Sequence, residues 1–126
     1  MHTVITSNDA PKPIGPYSQA IRAGNMLFIS GQIGIDPKTG ALIRTSLEAE
    51  TIAALDNVMA VLKAAGFGPT HVVKTTLYLG NLDDFSVINA IYGLYFSSHK
   101  PARACVEVAR LPKNARVDIE AVAVID

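Results

Sequence analysis

Cys105 is the only cysteine, so no internal disulfide can form and a reducing compartment is the expectation. The chain also has no surplus of charge: Lys plus Arg number 11, Asp plus Glu number 11, and the formal net charge is zero. Basic residues are scattered singly, without the broad positive field that nucleic-acid binding needs. Aromatic residues make up only 6%, and no stacking platform for single-stranded RNA is visible. No apolar run approaches membrane-spanning length. The N-terminal Met1-His2-Thr3-Val4-Ile5 lacks both a charged region ahead of an apolar stretch and the Arg/Ser richness of a transit peptide, so the expected location is the cytosol. His2, His71 and His99 have no metal-ligand spacing, and no metal site is expected. Gly31-Gln32-Ile33-Gly34 is too short and wrongly patterned for a nucleotide loop.

What is present fits one globular domain over residues 1–126, with 49% hydrophobic and 17% charged residues. Thr3 to Thr6 reads as a short strand. Tyr17 to Ala23 and Met26 to Ile35 read as strands joined by Gly24-Asn25, a two-residue hairpin signal. From Ser46 to Ala65 the period becomes helical, with Ile52, Leu55, Met59 and Leu62 on one face, Ser46 as cap and Gly66 as stop. Val72 to Leu79 is a β-branched strand. A second helix runs from about Asp84 to Ser98, with Ile88, Ile91, Tyr92, Tyr95 and Phe96 on one stripe. Pro101 ends it. Pro101 to Val108 and Arg116 to Ile125 are the closing strands.

This order predicts an α+β fold, a single mixed β-sheet with two helices packed on one face. The last strand is apolar on both sides: Val117, Ile119 and Ala121 alternate with Val122 and Val124. Helices for one face only leave the other bare, which predicts a homo-oligomer whose copies cover it.

The closing strands carry the candidate chemistry. Arg103 and Cys105 lie two residues apart and share a face. A guanidinium on a strand must be paired or solvated, and it suits a bidentate grip on a small carboxylate. The closing strands read as a hairpin, and burying Ala104, Val106 and Val108 with Val117, Ile119 and Ala121 gathers Arg103, Cys105, Glu107, Asp118 and Glu120 on the opposite face. From the hairpin alone, a ligand site and a solvated ion-pair ladder stand level.

Gly15-Pro16-Tyr17-Ser18-Gln19, Ser30-Gly31-Gln32, Val73-Lys74-Thr75-Thr76 and the block Pro101-Ala102-Arg103-Ala104-Cys105-Val106-Glu107-Val108-Ala109-Arg110-Leu111-Pro112 resemble the RidA family of reactive intermediate deaminases, also called YjgF. The resemblance runs from near the N-terminus to Val124. It implies a chorismate-mutase-like fold and a homotrimer with an inner β-barrel, outer helices and a site at each subunit interface. The activity it implies is hydrolysis of 2-imino acids and their enamine tautomers (2-iminobutanoate, 2-iminopropanoate) to 2-keto acids and ammonia, without a cofactor. Arg103 would hold the substrate carboxylate, and Asp118 falls on the family's glutamate position, which orients or activates water. Cys105 falls on the family cysteine, where main-chain groups make the contacts and no covalent thiol step is implied. Tyr17, Ser30, Gly31 and Asn89 fall on other pocket positions, partly reached from the neighbouring subunit.

Asp118 departs from the family pattern, being shorter than glutamate by one C–C bond, roughly 1.5 Å. The segment before Pro101 is also shorter than in some relatives. Two alternatives stand beside the deaminase: an endoribonuclease or translation inhibitor, a label often attached to the family, and a non-catalytic small-carboxylate-binding or chaperone-like trimer.

Overall fold

Six strands join into one mixed sheet in the computed structural model, which describes residues 2–126. In chain order they are β1 (His2–Ile5), β2 (Ala20–Ala23), β3 (Met26–Gln32), β4 (Val72–Leu79), β5 (Ala102–Glu107) and β6 (Val117–Val124). Across the sheet the order is β1-β2-β3-β6-β4-β5, antiparallel throughout except for the parallel pair β4 and β5. Helices α1 (Leu47–Ala64) and α2 (Phe85–Tyr95) complete the α+β architecture.

The local signals act as expected. Gly24 takes a φ of +62° in the β2–β3 hairpin, a conformation that costs glycine nothing. Ser46 caps α1, its hydroxyl accepting the Ala49 N–H at 3.0 Å, and Gly66 leaves the helix at φ +79°. The buried face of α1 is rotated from the expected stripe. Ala54, Leu55, Val58, Val61 and Leu62 form the core face, and Ile52 is 42% exposed. Two apolar stripes overlap on this helix, and the one rich in small and β-branched residues lies closer to the sheet.

Alternation along the strands sends one side of the sheet into the core. Leu27, Ile29, Leu77, Leu79, Val117, Ile119, Ala121 and Ala123 are buried with the helices. Among the described residues no helix covers the other side of the sheet, and Phe28 there remains 45% exposed and Val106 41%. The bare apolar face expected from β6 is therefore present.

The expected β5–β6 hairpin is absent. β4 lies between the two strands, pairing antiparallel with β6 and parallel with β5. Helix α2 supplies the long crossover that a parallel β4–β5 pair requires. Placing the β-branched β4 between them gives it two hydrogen-bonded neighbours and leaves β5 at the sheet edge.

Candidate active site

Because β4 separates the closing strands, the predicted site residues fall into two groups on opposite faces. Arg103 is in register with Thr75, whose hydroxyl lies 2.8 Å from the Tyr92 hydroxyl on α2. Arg103 therefore points toward the helices. Asp118 is in register with Tyr78, and Glu120 with Thr76, on the open face. The expected gathering of Arg103, Cys105 and Glu107 with Asp118 and Glu120 on one face within a chain is overturned.

The first group is a cavity of about 540 Å³ on the open side, lined by Tyr17, Ser30, Gly31 and Asp118 with Ile33 and Ile35 as apolar wall. Its shape comes from an irregularity in β3. Pairing with β6 shifts register between Ile29 and Gln32, so Ser30 and Gly31 leave the regular ladder. The Ser30 hydroxyl donates to the Ser18 carbonyl at 2.6 Å and pins the segment carrying Tyr17. Gln19 is buried and fixes the preceding loop, accepting from the Ser7 N–H at 2.6 Å and donating to the Pro11 carbonyl at 2.9 Å.

Gly31 makes room for Asp118. A Cβ on Gly31 would lie 2.5 Å from Asp118 Oδ1. That oxygen is buried without a hydrogen-bond partner. Burial, then the nearby Glu120 charge, pushes the Asp118 carboxyl up to about 6 from 3.8, against a backbone hydrogen bond at Ile119 that lowers it. Glu120 accepts the Tyr78 hydroxyl proton at 3.0 Å. Tyr78 is raised as well, first by that bond, then by burial. Gly31→Ala should turn the Asp118 carboxyl away, lowering turnover on the substrate proposed below roughly tenfold to a hundredfold. Only a short side-chain end moves, so Tm should change little; kcat and Tm together check this.

The second group sits at the β5 edge. Arg103 Nη1 donates to Asn89 Oδ1 at 2.7 Å. Its guanidinium lies 4.9 Å from the Tyr92 ring centroid and 5.4 Å from that of Phe85. Within one chain Arg103 is exposed and does not line the cavity. Cys105 is half-buried on the same side, its thiol raised by burial and lowered by the Arg103 charge, which makes a poor nucleophile. Glu107 accepts the Leu82 N–H at 2.9 Å and has a structural partner.

Tyr78 and Gln19 were not singled out from the sequence. Gln19 sits inside the Gly15–Gln19 motif, but nothing in its spacing reveals three loop carbonyls around it.

A family model described as Endoribonuclease L-PSP matches residues 7–125. A RutC family protein of Pyrococcus horikoshii is 52% identical, over 98% of this chain and 98% of its own. The 2-iminobutanoate/2-iminopropanoate deaminase of Homo sapiens is 50% identical, over 96% of this chain and 88% of its own. The crystal structure of Escherichia coli TdcF with bound serine matches with a TM-score of 0.94 at 40% identity, covering 98% of this chain and 99% of that one.

Proposed function

The chain belongs to the endoribonuclease L-PSP family, also called YjgF/RidA, and from that premise we propose that it hydrolyses short 2-imino acids to 2-keto acids and ammonia. The observation that carries this reading is Asp118: a buried, unpartnered carboxylate oxygen on the wall of a cavity sized for a small molecule. Such an oxygen is a ready acceptor for a water proton. Half-identity to a human protein named for this deamination, over nearly the whole chain, supports the same chemistry.

Arg103 and Asn89 complete the site from a neighbouring copy. The guanidinium is exposed, sits on an edge strand and is aimed by Asn89 and two rings. The cavity of the same chain is on the other face, so the halves meet only between copies. The bare face with Phe28 and Val106 supplies the apolar contact, in a homotrimer. Phe28→Asp should disperse that assembly to smaller species in sedimentation; an unchanged mass would remove this face from the interface.

In the assembled site the Arg103 guanidinium holds the substrate carboxylate by two parallel hydrogen bonds. Asp118 takes a proton from water as its oxygen bonds to the C=N carbon, and the π electrons move to nitrogen. Asp118 returns the proton to nitrogen, giving a carbinolamine, and then carries the hydroxyl proton to the same nitrogen; the C–N electron pair leaves with ammonia as the C=O bond of the keto acid forms. Cys105 provides backbone and packing, and Tyr17, Ser30 and Gly31 shape the cavity.

A threonine dehydratase supplying the imine in situ tests the function. Added protein should accelerate 2-ketobutanoate release beyond spontaneous hydrolysis, and no acceleration would overturn the reading. An RNA-cleavage arm addresses the family's endoribonuclease description. Zero net charge and 6% aromatic content give RNA little to bind, and no cleavage is expected.

A further inference from the structure

We infer that Glu50, a fully buried carboxylate on α1, is a positioning residue that fixes Asp118 and the cavity wall through Arg116 and the strand-to-helix contact at Gly34. The inference rests on the proposed hydrolysis and adds the device that aligns its base. Glu50 is 0% exposed, and an ion this deep persists only with good partners. Its Oε2 accepts the Arg116 backbone N–H at 2.7 Å, and its Oε1 accepts Arg116 Nε at 2.7 Å. Arg116 immediately precedes β6, and Asp118 is its second residue.

The turn into β6 needs such a tie. Lys113 and Asn114 adopt φ of 57° and 56°, left-handed backbone that side chains disfavour. Arg44 donates to the Lys113 carbonyl and holds the outer end of the same turn. On the opposite wall, a Cβ on Gly34 would come within 2.4 Å of the Glu50 carbonyl oxygen, so α1 presses directly on the segment after β3. Two turns further along α1, buried Asn57 donates to the Ile33 carbonyl at 3.1 Å and the Ile35 carbonyl at 2.9 Å. A single helix face thus sets both the base and the wall opposite it.

The test is Glu50→Gln in the intact protein. The amide turns an N–H donor toward Arg116 Nε–H, so the tie is broken with little change of volume. Expected is a roughly tenfold lower kcat with KM within about twofold, because substrate anchoring at Arg103 is untouched. The Asp118 carboxyl carbon, followed by 13C NMR, should titrate at lower pH as the loosened side chain hydrates. Adding Arg116→Met removes the opposing donor, leaves the backbone N–H bond to position 50, and should bring kcat back to within about threefold of wild type. If Glu50→Gln does not fold, Glu50→Asp keeps the buried charge but cannot reach both donors, and should show the same split. Folded variants with a lower Tm but unchanged kcat and Asp118 titration would make Glu50 structural only and overturn the inference. Should the wild type not turn over imines at all, the functional reading fails separately, and the Asp118 titration alone decides on the tie.

Discussion

Arg103→Ala is expected to lower kcat/KM for 2-iminobutanoate about a thousandfold while leaving Tm and oligomer mass unchanged. A short 2-imino acid carries one charged group, and a bidentate guanidinium–carboxylate contact is the strongest handle on it. Removing one partner of a desolvated, hydrogen-bonded charge pair costs about 2–5 kcal/mol, which sets that scale. Arg103→Lys should recover little, since an ammonium reproduces neither the planar fork nor the stacking near Tyr92 and Phe85. The side chain is exposed within its own chain, so the fold does not depend on it. A variant that retains turnover would remove Arg103 from the site.

Asp118→Asn should lower kcat about a hundredfold to ten-thousandfold, the range general-base removal gives, with KM nearly unchanged. The pH dependence follows from the raised carboxyl. In the proposed hydrolysis ionised Asp118 is the active form, and its pKa is pushed up to about 6 by burial and the Glu120 charge. Activity is therefore full above that pH and falls tenfold per pH unit below it. An ordinary aspartate would hold activity down to about pH 4. In the proposed complex the substrate carboxylate would neutralise Arg103, so the kcat profile should keep its acid limb near pH 6. A limb near pH 4 would mean that the base is a solvated group and not this carboxyl.

Strand positions and both helices were legible because alternation, a serine cap, hairpin glycines and Pro101 act locally. Pairing was not. A short loop between β5 and β6 reads as a hairpin, while the β4–β5 partnership depends on where α2 packs, a tertiary choice. A hairpin would put Arg103 and Asp118 on one face; the pairing through β4 puts them on opposite faces. Arg103 and Cys105 of the family block, and Ser30 and Gly31, were recognisable by type; the register break between Ile29 and Gln32 was not. Glu50 and Arg116, 66 residues apart, were invisible as a pair, since an acidic residue in the first turn of a helix reads as a dipole partner. Apolar spacing puts Ile52 in the core because it does not say which of two stripes meets the sheet.

The most direct test of a site divided between copies is complementation. Arg103→Ala protein keeps an intact cavity and Asp118, while Asp118→Asn protein keeps an intact Arg103. Each alone should be nearly inactive. Unfolded together and refolded into mixed oligomers, they should regain about a quarter of wild-type imine hydrolysis, because a site needs a cavity from one variant and an arginine from the other. Mixed oligomers, confirmed by mass, that stay as inactive as their parents would show that both residues act within a single chain, contradicting the account.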